Sequence, residues 1–103
     1  MRIIKEKTLY SICKLSKYEQ AEESIRAWIF EVRKKSWNNA VDLKSSYGNA
    51  SIITAKRVVF NIKGNHFRLI VDVEYKLKLV FVVWFDSHKE YDKIDVKKVR
   101  YEN

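Results

Sequence analysis

The clearest indication of the fold is the stretch Arg57-Val-Val-Phe-Asn-Ile-Lys-Gly-Asn-His-Phe-Arg-Leu-Ile-Val71, which reads as two strands joined by a tight turn. Side chains alternate along residues 58–62 and again along residues 67–75, and such alternation is typical of strands in a sheet. Gly64-Asn65 separates the two runs and favours a tight hairpin turn. The stretch therefore predicts an antiparallel β-hairpin.

The predicted hairpin has one apolar and one polar face. Successive side chains of a strand point to opposite sides, so Phe60 and Phe67 face one way while Asn61 and Arg68 face the other. Lys63, just beyond the first strand, continues the same alternation. We expect the face that carries Asn61, Lys63 and Arg68 to hold a groove for an anion.

The rest of the chain predicts helices before the hairpin and one long strand after it. Residues 1–4 read as a short strand, and residues 8–16 and 19–36 have the apolar spacing of amphipathic helices. Residues 79–85 are nearly continuous in apolar side chains, as in a strand covered on both faces. Helices followed by a hairpin-linked sheet predict an α+β fold. Its N-terminal helices pack on one face of a small, mainly antiparallel sheet of about four strands.

Positive charge is concentrated in the middle of the chain. The whole chain has a net charge of +8, and residues 33–68 hold eight Lys or Arg residues against one acid, Asp42, a net charge of +7. A local excess of this kind attracts polyanions, nucleic acid first among them, or an acidic protein. The alternative is that these side chains lie on separate faces and serve only solubility.

The sequence contains no signal for a membrane span, an export leader or a metal site. No run approaches the roughly 18 apolar residues that a span needs, and the N-terminal residues include no extended apolar stretch. Cys13 has no cysteine partner, which suits a reducing compartment. Cys13, His66 and His88 lack the short spacings of zinc ligands. We therefore expect one cytoplasmic domain, residues 1–103, without a metal or other cofactor.

A polar cluster, Ser87-His-Lys-Glu-Tyr-Asp-Lys93, follows the last predicted strand and contains candidate catalytic residues. His88 carries an imidazole, which exchanges protons near neutral pH, and Tyr91 shares its side if the segment is helical. Arg68 offers a guanidinium that can bond two phosphate oxygens at once. Metal-free cleavage of RNA needs a proton acceptor, a proton donor and cations around the phosphate. His88, Tyr91 and Arg68 supply this set.

Each of these residues also has a structural interpretation. His88 can cap the end of the strand, and Tyr91 can pack over the sheet edge. Arg68 can pair with Asp72 or Glu74, because ion pairs between strand residues are common and weak. Both interpretations stay open for all three residues.

Further residues are predicted to bind the substrate. Asn61 and Lys63 lie beside Arg68 in the predicted hairpin. Lys56 and Arg57 of the central basic segment and Lys93 of the polar cluster are also predicted to bind the substrate through their positive charge. Trp37 and Tyr47, which lie in the basic segment, are candidates for stacking on exposed bases.

These residues carry a resemblance to a known family. Asn61-Ile-Lys-Gly-Asn65, followed by His88-Lys-Glu-Tyr-Asp92, resembles the HigB-type toxins of bacterial type II toxin–antitoxin systems, within the RelE/ParE-like superfamily. The first strand and the helical Ala27-Trp28 also fit, so the resemblance covers nearly the whole chain. One departure is Asp86-Ser87, where relatives often have Gly-Thr, and it leaves the protonation role of His88 open.

The resemblance implies a RelE-like fold and a ribosome-dependent mRNA interferase, which cuts the message in the A site and so inhibits translation. It also implies a cognate antitoxin, commonly a helix-turn-helix protein. Carried onto this chain, it implies Arg68 as the phosphate contact. His88 and Tyr91 become acid/base and orienting residues, with Asn61 and Lys63 as supporting groups.

Two other functions remain open. ParE-like members of the same superfamily inhibit DNA gyrase and do not cut RNA, although the ionisable His88 argues against this function. A non-catalytic basic RNA-binding module would also account for the charge of residues 33–68. Its binding would weaken steeply with salt and leave the RNA uncut.

Overall fold

The computed structural model describes residues 1–100. In chain order, its elements are β1 Arg2–Ile4, α1 Glu6–Cys13, a 3-10 helix Ser16–Ala21, α2 Glu22–Arg33, α3 Ala40–Ser46, β2 Ser51–Ile52, β3 Arg57–Ile62, β4 Phe67–Glu74, β5 Leu79–Ser87 and α4 His88–Tyr91. Over these residues, no helix combines the length and the apolar character that crossing a membrane requires.

Within residues 1–100, five strands form one sheet in the order β1-β5-β4-β3-β2. β1 runs parallel to β5, and every other neighbouring pair is antiparallel. The α+β fold with a mainly antiparallel sheet is confirmed. The extra strand, β2, was not predicted, because only Ser51 and Ile52 pair with β3 and so short a run shows no alternation.

The helices pack on one face of the sheet and form the main core with it. α2 buries Ile25, Trp28, Ile29 and Val32, as their helical spacing predicted. The rings of Trp28 and Phe60 meet with their centres 5.4 Å apart. Burial of these apolar side chains is the main term that stabilises the helix–sheet contact.

Two helices differ from the predicted ranges. α1 begins at Glu6, before residue 8, because Lys5 adopts a left-handed conformation (φ 74°) that turns the chain directly from β1 into the helix. The start of the second predicted helix forms the 3-10 helix instead, and α2 ends at Arg33. The 3-10 helix matters for the site described below.

The second face of the sheet carries Val59, Ile70 and Val83 and is covered by chain that follows β5. We call residues 92–100, after α4, the C-terminal segment. Apolar side chains from α4 and from the C-terminal segment pack on this face: Tyr91, Ile94, Val96 and Val99. The middle of β5 is therefore covered on both sides, as its apolar run predicted. Phe81, which belongs to the run that we expected to be covered on both faces, is 40% exposed.

A β-bulge in β5 changes which side chains reach the second face. Ile70 pairs with Trp84 and Val71 pairs with Val82, so Val83 is an extra residue. The extra residue shifts the alternation of the strand after it. As a result, the end of β5 presents Asp86 to the second face.

Candidate active site

The register of the sheet places three polar side chains in one row on the second face. Asn61 of β3 pairs with Arg68 of β4, and Arg68 pairs with Asp86 of β5. Directly paired residues point to the same side of a sheet. The row lies at the end of the sheet where the β3–β4 turn meets the start of α4.

Arg68 lies in this row with its positive charge unpaired. Its Nη2 donates to the side-chain oxygen of Asn65 at 2.6 Å, and its Nη1 donates to the backbone oxygens of Asn65 and Phe67 at 3.2 Å each. The guanidinium carbon lies 5.8 Å from the centre of the Tyr91 ring, within cation–π range. Over residues 1–100, no carboxylate forms an ion pair with Arg68. Neutral acceptors orient the guanidinium and leave its charge available for an anion.

α4 is attached to this end of the sheet through its first residues. The Ser87 hydroxyl accepts the backbone N–H of Glu90 at 3.2 Å and caps the helix. The backbone N–H of His88 donates to the His66 carbonyl at 2.9 Å, which joins the helix to the β3–β4 turn. The helical turn brings Tyr91, three positions after His88, to the same side of α4.

The two ring side chains of α4 differ in their surroundings. The His88 side chain is 46% exposed, and its Nε2 lies 3.6 Å from the Asp92 Oδ2. Tyr91 is half-buried, with its ring centre 6.2 Å from that of Trp84. The imidazole is therefore accessible to solvent and to a ligand. Tyr91 both packs over the sheet, as its structural interpretation held, and borders the guanidinium of Arg68.

Lys17 and Tyr18 of the 3-10 helix reach the same end of the sheet. The Lys17 ammonium lies 4.8 Å from the centre of the Tyr18 ring. Interaction with the Tyr18 side chain is the main cause that raises the pKa of Lys17, and attraction by Asp86 and Glu90 raises it further. Burial is the main cause that raises the pKa of Tyr18, whose ring centre lies 5.6 Å from that of Phe85. Sequence reasoning missed both residues, because no local pattern connects the 3-10 helix with the end of β5.

The carboxylate of Asp86 interacts with groups other than Arg68. Its Oδ1 accepts the backbone N–H of Ser87 at 2.7 Å, and its charge helps to keep Lys17 protonated. In this arrangement the negative charge of Asp86 is balanced by Lys17.

Arg57, predicted to bind the substrate, lies away from this row and is buried. Its Nε and Nη2 donate to the two Asp72 carboxylate oxygens at 2.8 Å each. Its Nη1 donates to the carbonyls of Val96, at 3.1 Å, and Val99. Asp72, the strand partner of Arg57, follows Arg68 by four residues along β4, a separation of about 13 Å. The structure does not bring Arg57 together with Arg68.

The predicted lysines are divided between the two ends of the hairpin. Lys56 lies at the far end, 4.0 Å from the Glu74 carboxylate. Lys63 is exposed in the β3–β4 turn with φ 51°, so it does not continue the alternation of the strand. Lys93 follows α4, and its Nζ donates to Glu90 at 3.2 Å. Lys63 and Lys93 thus lie on segments that flank the candidate site, and Lys56 does not.

Of the two aromatic residues that we expected to stack on bases, Trp37 belongs to the core, and Tyr47 packs against the core half-buried. Trp37 is 3% exposed, and its Nε1 donates to the Ser46 hydroxyl at 3.1 Å. Tyr47 packs against Phe60 with ring centres 5.1 Å apart, and burial is the main cause that raises its pKa. The prediction of base stacking is wrong for Trp37, because its ring is covered on both sides by the core.

A known protein family matches the chain over a range that includes most residues of this site. Residues 21–94 match the model of the HigB toxin family, described as the RelE-like toxic component of a toxin–antitoxin system. No curated protein matches the chain. The matched range contains Asn61, Arg68, His88 and Tyr91, whereas Lys17 and Tyr18 precede it. Within residues 1–100, no three His, Cys, Asp or Glu side chains are grouped so that they could hold a metal ion.

Proposed function

The chain belongs to the HigB toxin family of RelE-like toxic components of toxin–antitoxin systems, and on that premise we propose that it is an endoribonuclease. The proposed substrate is mRNA in the A site of a translating ribosome, and the consequence of cleavage is inhibition of translation. The proposed compartment is the cytoplasm, where ribosomes translate. Membership of the family implies an antitoxin partner, and we propose that this partner is a helix-turn-helix protein.

The observation that carries the proposal is the placement of Arg68. Its guanidinium has no acidic partner within residues 1–100, is oriented by Asn65, and lies beside the Tyr91 ring of α4. A guanidinium without an acidic partner can form a charge-assisted, bidentate contact with a phosphate group. The solvent-exposed imidazole of His88 lies at the start of the same helix.

The proposed reaction is attack of a ribose 2′-oxygen on the adjacent phosphorus, with loss of the 5′-oxygen of the next nucleotide. His88 and Tyr91 handle the proton removed from the 2′-hydroxyl and the proton given to the leaving oxygen. Arg68 and Lys17 neutralise the charge that develops on the phosphate oxygens. The products are a 2′,3′-cyclic phosphate and a 5′-hydroxyl, and the protein needs no metal ion for these steps.

Primer extension on an mRNA translated in a cell-free system tests the proposal. New 5′ ends at A-site codons are expected with the wild-type protein and are lost in His88→Ala. His66→Ala is the matched control, because the His66 side chain has no assigned role and only its carbonyl contacts α4. The proposal is wrong if translated messages stay uncut, or if His88→Ala cuts like the wild type. Inhibition of gyrase supercoiling with translation intact would instead support the ParE-like function.

A further inference from the structure

A polar pocket opens at the outer edge of β3, next to the row of Asn61 and Arg68. Its volume is about 240 Å³, and it is lined by residues 46–50 together with Phe60 and Asn61. It forms where β2 separates from β3, because the pairing of these strands ends at Ser51 and Val59. Asn61 links the two sites, since it lines the pocket and is the strand partner of Arg68.

The hydrogen-bond pattern of the hairpin turns the peptide group of Asn61 toward this pocket. The backbone N–H of Ile53 donates to the carbonyl of Arg57 at 2.8 Å, so Arg57 presents its backbone groups to the β2 side. In an antiparallel ladder, every second residue does the same. Val59 and Asn61 therefore present their N–H and C=O to this edge. Within residues 1–100, the β2 pairing stops at Val59, so Asn61 has no strand partner there.

The other side of β3 gives the same register. The backbone N–H of Val73 donates to the Lys56 carbonyl at 2.8 Å, so even-numbered residues of β3 present their backbone groups to β4. Asn61 and Arg68 are then a non-hydrogen-bonded pair, in which Cα atoms lie only about 4.5 Å apart and side chains are close. The pocket is therefore about one strand spacing, roughly 5 Å, from the strand of Arg68.

We propose that this pocket binds the nucleobase next to the scissile phosphate and sets the base preference of cleavage. The proposal rests on the proposed function, since it extends the RNA site of Arg68. The N–H and C=O of Asn61, side by side, match the adjacent acceptor and donor of a base edge. Unstacked RNA bases are read through such edges. The side-chain amides of Asn49 and Asn61 add a second donor and acceptor each.

The loop that lines one side of the pocket is held in place before a ligand binds. Lys44 Nζ donates to the carbonyls of Gly48 and Ala50 at 2.7 and 2.8 Å, which fixes the loop that carries Asn49. A fixed loop loses little freedom when a ligand binds. The free edge is also too short for a peptide strand, because Asn61 is the only residue of β3 beyond the β2 pairing that faces outward within the described chain. A single planar group therefore fits the edge better than a strand does.

Mapping many cleavage sites by sequencing the new 5′ ends tests this inference. Wild type is expected to prefer one base at a position flanking the cut. Asn49→Ala should reduce that preference roughly tenfold, since it removes a side-chain donor and acceptor that contact the base edge. Gly48→Leu should remove the preference, because Gly48 lines the pocket and a Cβ there meets open space, which leaves room for a leucine side chain to occupy the pocket. Ser45→Ala, on a neighbouring residue that does not line the pocket, is the matched control.

The outcomes separate this inference from the proposed function. Cuts whose base preference is the same in wild type, Asn49→Ala and Gly48→Leu would overturn the pocket proposal and leave the nuclease intact. Wild-type protein that makes no cuts would contradict the proposed function.

A binding measurement tests the pocket without cleavage. Titration with 2′-O-methyl dinucleotides, which cannot be cut, should shift the NMR signals of the Asn61 backbone N–H and the Asn49 amide. Shifts confined to Arg68 and His88 would overturn the pocket proposal.

Discussion

Arg57 and Arg68 point to the same face of the β3–β4 hairpin but have opposite surroundings. The Arg57 side chain is 11% exposed, and its donors are shared between the Asp72 carboxylate and two carbonyls of the C-terminal segment. Arg68 is more exposed, contacts only neutral oxygens and lies beside Tyr91. The Arg57 guanidinium stabilises the contact between the sheet and the C-terminal segment, and the Arg68 guanidinium remains available to a ligand.

The two arginines carry the same charge, so their roles are determined by the groups that each guanidinium contacts. Arg57 joins β3 to chain 39 residues later, through Val96. It thereby fixes the C-terminal segment, which directly follows α4. α4 itself carries His88 and Tyr91. Arg68 acts where the phosphate is proposed to bind. Substitutions at the two positions should therefore affect different measurements.

The largest expected effect is on cleavage. Arg68→Gln should lower the rate of cutting of translated mRNA by about 10²–10³-fold, the cost of removing one donor to a developing oxyanion. The midpoint of urea unfolding should stay near that of the wild type, because no ion pair is lost. Arg26→Gln, an exposed arginine on α2, is the matched control. Loss of stability in Arg68→Gln would show that both arginines are structural.

The next largest effect is on stability. Arg57→Met should lower the free energy of unfolding by about 2–3 kcal/mol, because it leaves the Asp72 carboxylate and two carbonyls without their donors. The Arg57→Met/Asp72→Leu double variant should recover part of this loss, since it also removes the unpaired carboxylate. Urea unfolding of the three proteins measures both values. A change below about 0.5 kcal/mol in Arg57→Met would place this residue with ordinary surface positions.

Alkaline pH should lower the stability that depends on Cys13 in the core, while the Arg57–Asp72 contact is kept. A hydrogen bond with Asp72 is the main cause that raises the pKa of Arg57, so this guanidinium stays charged at alkaline pH. Burial raises the pKa of the Cys13 thiol from 9.0 to about 11. Between these values the unfolded chain loses the thiol proton while the native protein keeps it, so stability falls as pH rises, by up to about 1.4 kcal/mol per unit. Below pH 9 this contribution is fully present.

Unfolding measured at pH 8 and pH 10 checks this expectation. Wild type and Arg57→Met should lose similar stability over this interval, and Cys13→Ala should lose less. An equal loss in Cys13→Ala and wild type would show that the thiol does not contribute.

The smallest effect concerns Lys17, the cation that adjoins Arg68's end of the sheet. Lys17→Met should slow cleavage only a few-fold, since an exposed charge that is also attracted by Asp86 and Glu90 contributes little. Lys7→Met, on an exposed face of α1, is the control. An effect as large as that of Arg68→Gln would make Lys17 a principal phosphate ligand.

The sequence predicted the elements whose signals are local. Alternation along residues 58–62 and the helical spacing of Ile25 and Trp28 depend on neighbours in the chain, and both agree with the structure. The same alternation brought Asn61 and Arg68 to one face. These signals are reliable because each face of a strand or helix meets one environment.

The rest depended on contacts between distant parts of the chain. Arg57 and Arg68 are alike as residues, and only the docking of the C-terminal segment distinguishes them. Lys17 reaches Asp86 because the 3-10 helix packs beside the end of β5. The bulge at Val83, which directs Asp86 to the second face, has no signature in a run of apolar residues.

The most direct test of the central claim is an NMR titration that observes both arginine side chains in the intact protein. A 2′-O-methyl dinucleotide supplies one phosphate that cannot be cleaved. We predict that the Arg68 Nε–H signal shifts with increasing dinucleotide, while the Arg57 Nε–H signal stays unchanged. A shift of the Arg57 signal, or a complete set of spectra in which the Arg68 signal does not move, would contradict this prediction.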